Sequence, residues 1–302
     1  MIRTISEKVV AKLLFYLRAI LINFWNMLKG FWNNDGFIIS GYMAYLTLLS
    51  LFPFVIFLVS LAGTLGRTAT GLALVNTTLN MLPSDIAQTL ETPINEVLST
   101  AQNDVLTMSI LVAFWTTGSY IEALRVAIYK AYNRVVGVQF WIYRLQSVFI
   151  VTTSTLLLLL AVNSQFALIG LRDLIIEFFP HNDIIRSHIS ALRFFIAPLM
   201  VYIGLLGLYY TLSPRFEQTE KHPIWPGAML TVFAWATTVH YLPVAISRMG
   251  RYDLTYGSLA SIMIALLFFY ILGMGAVLGA ELNGSVSRFL KEQKSQGTEY
   301  IS

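Results

Sequence analysis

Six long apolar stretches follow one another along the chain, and they cover residues 36–66, 105–128, 143–171, 189–212, 224–247 and 256–282. A helix needs about 20 mostly apolar residues to cross a bilayer, and every stretch reaches that length. None of the stretches alternates apolar and polar residues as a half-buried β-strand does. The pattern therefore predicts an all-α, polytopic membrane protein whose six transmembrane helices lie within residues 36–283.

Residues 1–35, ahead of the first stretch, predict an amphipathic helix. They lack the compact apolar core and the small-residue cleavage site of a signal peptide. Apolar positions are instead interspersed with basic ones, namely Val9, Leu13, Leu14 and Tyr16 among Lys8, Lys12 and Arg18. We expect this helix to lie on the cytoplasmic face of the membrane. Residues 284–302, after the last stretch, are predicted as a cytoplasmic tail.

The loop at residues 67–104 has an amphipathic helical pattern as well. Its apolar residues recur every three or four positions, at Leu79, Leu82, Ile86, Leu90, Ile94 and Val97, with interruptions at Pro83 and Pro93. Such a stripe is typical of a helix with one buried face. Two interpretations stay open, namely helices on the outer membrane boundary and a solvated helical hairpin.

The composition agrees with lipid as the main solvent. Hydrophobic residues make up 56% of the chain and charged residues 12%, whereas soluble domains carry about 25% charged residues. The sequence contains no cysteine. Disulfides, thiol nucleophiles and cysteine-ligated metal centres are therefore excluded.

The distribution of Lys and Arg predicts how the helices are oriented. Of the 20 basic residues, 14 lie in residues 1–35, at the junction between the second and third stretches, between the fourth and fifth, and after the sixth. Cytoplasmic loops carry such an excess of Lys and Arg. Both termini are therefore predicted to be cytoplasmic. The net charge of +4 follows this topological pattern, so nucleic acid is not expected as a partner.

Charged residues inside the predicted spans are the first candidates for a functional site, because they cost about 2.5–3.5 kcal/mol each at a helix centre. Glu122 and Arg125 are three residues apart in the second span and can pair on one helix face. Glu281 and Asn283 end the sixth span. Two interpretations stay open: a polar gate or ion-coupled site near the cytoplasmic boundary, or an ion pair and a carboxylate that only anchor helix ends.

Proline and glycine mark further positions in the spans. Pro53 removes a backbone hydrogen bond from the middle of the first span, and the resulting kink either lines a cavity or is passive. Gly275 and Gly279 form a GxxxG pattern in the sixth span, which fits close helix packing and permits a homo-oligomer. His240, in the fifth span, is either a proton site or a packed, hydrogen-bonded side chain.

No enzyme motif stands out. A phosphate-binding glycine loop, a G-x-S-x-G nucleophile motif and a metal-binding histidine pattern such as HExxH are all missing from the sequence. Glu217, Glu220 and His222, in the loop after the fourth span, make a poor metal site for RNA cleavage. We therefore expect no catalytic residues, no metal and no cofactor.

Four segments resemble the YihY/BrkB family of inner-membrane proteins. They are SGYMAYLTLLSLFPFVIFLVSLAG (40–63), WTTGSYIEALRVAIYKAYNR (115–134), PIWPGAMLTVFAWAT (223–237) and YGSLASIMIALLFFYILGMGAVLGAELN (256–283). Their order and spacing extend the resemblance over residues 30–290. Glu122, Glu281, Tyr45 and Pro53 match the family pattern, whereas Arg125 stands where a neutral residue is common.

The resemblance implies a six-helix protein of the bacterial inner membrane. Members of this family were once labelled ribonuclease BN, a label regarded as a misassignment. The expected function is therefore transporter-like or concerned with envelope lipids, with Glu122, Arg125, Glu281, Asn283 and Tyr45 as the candidate polar site. Membrane lipids and an unidentified small-molecule or lipid substrate are the expected partners. The alternatives are a structural or assembly protein of the envelope and, last, a nuclease.

Overall fold

The computed structural model describes residues 2–65, 103–137, 141–154, 156, 183–214, 223–248 and 260–299. Within these ranges all regular secondary structure is α-helical, which confirms the all-α part of the predicted fold class. We number the helices α1 (Ile2–Asn33), α2 (Gly36–Leu65), α3 (Asn103–Ala131), α4 (141–154), α5 (Asp183–Leu212), α6 (Trp225–Arg248) and α7 (Ala260–Glu299).

Helices α2 to α7 correspond in order to the six predicted spans, and α1 to the predicted amphipathic segment. Two helices extend six or more residues beyond their apolar stretches. Helix α5 starts at Asp183 instead of residue 189, and α7 continues to Glu299 instead of ending at residue 282. Hydropathy locates the apolar part of a helix but not its polar ends, so both extensions were missed. The amphipathic stripe at residues 67–104 lies outside the described residues.

Helix α7 is the centre of the bundle, in contact with α1, α2, α3 and α6. Helix α2 packs along α3, and α5 packs along α6. Between residues 273 and 280 the buried face of α7 is made of small residues and one valine, namely Gly273, Gly275, Ala276, Val277, Gly279 and Ala280. Small residues let helix backbones approach closely, which is how helices associate in a membrane.

The closest helix contact joins α6 to α7. A Cβ atom placed on Gly279 would lie 2.6 Å from the carbonyl oxygen of Gly227 and 2.5 Å from the hydroxyl of Tyr209. The same hydroxyl hydrogen-bonds to Thr231 Oγ1 at 2.8 Å and donates to the carbonyl of Ala276 at 2.7 Å. Gly275 also faces α6, at Trp235. The GxxxG pattern thus serves a contact within the chain.

Large apolar side chains cover much of the outer surface of the described helices. Examples spread over four helices are Ile38, Leu111, Phe149 and Phe233, all of them exposed. By length and composition, two of the described helices contain segments that could cross a membrane, Trp225–Ile246 and Ile262–Ser295. Shorter apolar segments occur at Gly36–Leu51 and Pro198–Leu212. A large exposed apolar surface marks contact with lipid or with another protein.

Candidate functional site

Glu122 and Arg125 pair on α3 and join a polar network with α4. Arg125 Nε lies 3.2 Å from Glu122 Oε2. The other carboxylate oxygen of Glu122 accepts a hydrogen bond from Ser147 Oγ at 2.8 Å. Arg125 Nη1 donates to Gln146 Oε1 at 2.7 Å, and Gln146 Nε2 donates to the carbonyl of Thr211 on α5 at 2.9 Å. Polar contacts therefore tie α3 and α5 to α4.

The guanidinium of Arg125 is held in the protein interior. Its side chain is 2% exposed, and its Cζ lies 4.4 Å from the ring centroid of Tyr143. Arg125 Nε and Nη2 make no hydrogen bond with the described residues. The ion pair with Glu122 is therefore the described contact that compensates the positive charge of Arg125. A buried charge is costly unless it is paired. The carboxylate of Glu122 is thus fixed in place by a buried cation.

Beside this network, an open pocket of about 400 Å³ lies between α2, α3 and α4. Its wall is mostly apolar and carries two charged side chains; the lining residues are Ile39, Tyr42, Trp115, Ser119, Glu122, Ala123, Val126 and Arg144. The Glu122 side chain is 28% exposed and lines the pocket. Ligand pockets typically measure about 300–1,000 Å³ and combine apolar walls with a few polar groups. This pocket has both properties.

The side chain of Arg144 extends from α4 and packs against α3. Its guanidinium stacks on Trp115 with Cζ 4.2 Å from the ring centroid, and Nη2 donates to the Trp115 carbonyl at 2.8 Å. Nη1 lies 3.4 Å from Ser119 Oγ. A Cβ atom on Gly118 would be 3.1 Å from Arg144 Cζ. Glycine at this position therefore lets the guanidinium lie flat against α3.

Glu281 belongs to a second cluster, where α7 meets the junction of α1 and α2. The carboxylate is fully buried and accepts a hydrogen bond from Asn34 Nδ2 at 2.7 Å. Asn34 is held there by a two-residue turn in which Asp35 takes φ 61°, a left-handed conformation that aspartate tolerates better than most residues. The second oxygen of Glu281 has no hydrogen-bond partner among the described residues and lies against Gly30.

The candidate residues thus fall into separate places. Glu122 bonds to α4 and Glu281 to Asn34 in the turn between α1 and α2, so the described contacts do not join the two carboxylates. Asn283 is buried and accepts a hydrogen bond from the Gly227 amide at 2.8 Å. Tyr45 is 55% exposed on the outer face of α2. Pro53 lies inside α2, which continues as a helix on both sides of it.

Sequence reasoning missed Arg144, Trp115 and Ser147 as site residues. In the sequence Arg144 contributes only to the cytoplasmic excess of basic residues. Ser147 is one of several small polar residues in a span. The sequence does contain a signal for Arg144, because this residue stands at the start of an apolar stretch and follows aromatic residues at positions 140, 141 and 143. The side-chain contacts that make it part of a site come from the packing of α4 on α3, which periodicity does not give.

The described part of the chain holds no group of three or more histidine, cysteine or carboxylate residues that could bind a metal ion. His240 is exposed on α6 and packs edge-on against Tyr241, with 4.7 Å between ring centroids. Glu217, Glu220 and His222 lie outside the described residues. The pocket beside Glu122 is therefore the candidate functional site.

Comparison with known proteins places the chain in a family. No solved structure matches it. YfkH of Bacillus subtilis strain 168, described as a ribonuclease-like protein, is 25% identical over 250 residues, which cover 83% of this chain and 90% of that protein. The family model described as virulence factor BrkB matches residues 27–299. With its apolar helices, the chain is a membrane protein and belongs to the BrkB virulence factor family.

Proposed function

We propose that the protein crosses the bacterial inner membrane six times, with both termini in the cytoplasm. Six apolar stretches, six helices that correspond to them and the distribution of Lys and Arg support this topology. The family match over residues 27–299 agrees with a membrane domain that fills most of the chain.

The absence of cysteine allows this topology to be tested with single-cysteine variants of an otherwise unchanged chain. Val135, between α3 and α4, is 92% exposed, and Ser84 lies in the loop predicted to be outside. We expect a membrane-impermeant maleimide to label Ser84→Cys in intact spheroplasts and Val135→Cys only after permeabilisation. The wild-type chain is the unlabelled control. Labelling of Val135→Cys in intact spheroplasts would contradict the orientation.

We further propose that the protein is transporter-like and handles an amphipathic substrate of the envelope, most simply a lipid. The observation that carries this proposal is the open pocket between α2, α3 and α4, whose apolar wall bears Glu122 and Arg144. An apolar wall receives acyl chains, while charged side chains select a polar headgroup. Because Arg125 is buried behind Glu122, the carboxylate is held in place before any substrate arrives, which lowers the cost of binding.

The proposal predicts a flux of phospholipid through the pocket. Full-length protein in liposomes should speed the movement of an acyl-labelled phospholipid between leaflets, and Arg144→Gln should slow it about tenfold, since a hydrogen bond to a charged group contributes about 1.5–3 kcal/mol. Chemical quenching of the label in the outer leaflet measures the rate. Lys29→Gln, an exposed charge on α1 outside the pocket, should leave the rate unchanged.

The role of the Glu122 carboxylate needs a different comparison, because Glu122→Gln alone would leave the buried guanidinium of Arg125 without its counter-charge. The rates of Arg125→Met and Glu122→Gln/Arg125→Met are therefore compared, and the second should be about tenfold slower. Equal rates for all variants and for protein-free liposomes would contradict a transport function.

We propose that the protein is not an enzyme. The name of YfkH describes that relative as ribonuclease-like, so RNA cleavage is the natural check. Metal-dependent cleavage by highly purified protein that is lost in Glu217→Ala would favour the nuclease instead. The alternative of a structural or assembly protein is favoured by Glu281 and Asn283, whose described hydrogen bonds all join helices. A stable co-purifying partner in the absence of any flux would support that alternative.

A further inference from the structure

The two charges of the pocket lie in a fixed order along α3. Arg144 contacts the turn that contains Trp115 and Ser119. Glu122 follows Ser119 by three residues, which is about one helical turn, or about 5 Å along the axis. The described contacts contain no ion pair between Arg144 and Glu122. In the pocket Arg144 therefore stands beside a carboxylate whose described ion-pair partner is Arg125 and not Arg144.

Both groups keep capacity to bind a ligand. An arginine has five N–H donors, and Arg144 uses two of them in its described hydrogen bonds, one to Trp115 and one to Ser119. Arg144 and Glu122 both line the open space. Each carboxylate oxygen of Glu122 has one described contact, with Ser147 or with Arg125, and a carboxylate offers about four acceptor sites, so acceptor capacity remains. The pocket can therefore accept a ligand that carries one negative and one positive group.

The order of the charges matches the order of groups in one kind of lipid. In the proposed orientation α3 runs toward the cytoplasm, so Arg144 is nearer the membrane centre and Glu122 nearer the cytoplasm. In an inner-leaflet phospholipid the acyl chains lie deepest, the phosphate comes next, and an ethanolamine ammonium group follows after two carbons. Arginine suits the phosphate because its N–H groups form a planar fork. The carboxylate suits the ammonium group.

We propose that this pocket binds the headgroup of an inner-leaflet phospholipid with a phosphodiester and a primary ammonium group, as in phosphatidylethanolamine. The phosphate is held by Arg144 and the ammonium by Glu122, and the chains leave past the exposed ring of Trp115 toward the membrane centre. A primary ammonium group donates up to three hydrogen bonds, whereas the quaternary ammonium of choline donates none. This inference rests on the proposed function, since it uses that site and that orientation.

The test measures lipid binding to full-length protein in detergent, by native mass spectrometry after incubation with equal concentrations of phosphatidylethanolamine, phosphatidylcholine and phosphatidylglycerol. We expect the ethanolamine lipid to bind at least tenfold more tightly than the other two. Arg144→Gln should weaken its binding about tenfold or more, and so should Glu122→Gln/Arg125→Met relative to Arg125→Met. Lys29→Gln and Glu292→Gln, both exposed and outside the pocket, should bind as the wild type does.

A variant that keeps both charges separates the pocket from general electrostatics. Val126→Trp fills the space beside Glu122, and it should abolish binding while the protein remains monodisperse in size-exclusion chromatography. Equal binding of phosphatidylglycerol, insensitive to the loss of Glu122, would overturn the zwitterionic ligand in favour of an anionic lipid. Preference for phosphatidylcholine would overturn the primary ammonium group.

Chain-free glycerophosphoethanolamine distinguishes a lipid from a soluble compound with the same headgroup. It should compete at least a hundredfold more weakly than the lipid, because it lacks the apolar chains. Equal competition would overturn the lipid assignment. Failure of this inference is distinguishable from failure of the proposed function. Flux that depends on Arg144 without selective ethanolamine-lipid binding removes only the inference, whereas selective binding without flux removes only the transport function.

Discussion

Gly279→Ala should be among the most destabilising single methyl additions in the described part of the chain. The new Cβ atom would lie 2.6 Å from the Gly227 carbonyl oxygen and 2.5 Å from the Tyr209 hydroxyl. The carbonyl belongs to the α6 backbone, and the hydroxyl is held by hydrogen bonds to Thr231 and Ala276, so neither can move aside cheaply. Overpacking costs about 1–3 kcal/mol and occasionally more, and we expect a loss at the upper end.

The measurement is unfolding of the purified protein in mixed micelles by a denaturing detergent, followed by circular dichroism. Gly204→Ala is the matched control, because a Cβ atom at that position on α5 would have no heavy atom within 4 Å. It should change the free energy of unfolding by less than about 1 kcal/mol. If the two variants unfolded at the same detergent concentration, the close approach of α6 and α7 would be wrong.

Glu122→Gln should be strongly destabilising for an electrostatic reason. It removes the counter-charge of Arg125, whose side chain is 2% exposed. Breaking a buried ion pair by removing one partner costs about 3–5 kcal/mol, and the partial exposure of Glu122 favours the lower end. Arg125→Met should cost less, because the remaining carboxylate keeps its hydrogen bond from Ser147 and reaches the open pocket.

The double variant Glu122→Gln/Arg125→Met should therefore be more stable than Glu122→Gln alone, as the same unfolding measurement can show. Asp35→Asn is the control for an exposed pair, since Lys130 and Asp35 are 2.8 Å apart with 36% and 56% of their side chains exposed. Such pairs contribute about 0–1 kcal/mol, and asparagine also tolerates the left-handed turn. A double variant less stable than Glu122→Gln would show that Arg125 is not stranded by loss of its partner.

Helix positions could be predicted from the sequence because each apolar stretch is long and continuous. The prediction of 36–66 and the helix Gly36–Leu65 begin at the same residue. The ends of α5 and α7 were harder, since polar residues in both extensions lower the hydropathy and, in α7, contacts with other helices hold the extension. In α7 these contacts include Ser285 Oγ, which donates to Asn23 Oδ1 at 2.9 Å on α1, and Arg288, which donates to the last carbonyl of α3.

The candidate site could be predicted only in part. The i,i+3 spacing of Glu122 and Arg125 was enough to predict their pairing, because it depends on helix geometry alone. The pocket needed tertiary structure, since Arg144 enters it from another helix and Gly118 makes room for it. The positions of Glu122 and Glu281 in their spans do not show that Glu122 bonds to α4 while Glu281 bonds to the turn between α1 and α2.

The length of α7 has a consequence for the N-terminal helix. At 1.5 Å per residue its 40 residues extend about 60 Å, twice the thickness of a hydrocarbon core of about 30 Å. Asn23 attaches α1, and Asn34 attaches the turn that follows it, to the part of α7 around residues 281–285. A free amphipathic helix partitions to a depth that follows lipid charge and packing. Here the attachment to α7 fixes the depth of α1 in the membrane. The depth of α1 should therefore stay constant when the bilayer composition or ionic strength changes.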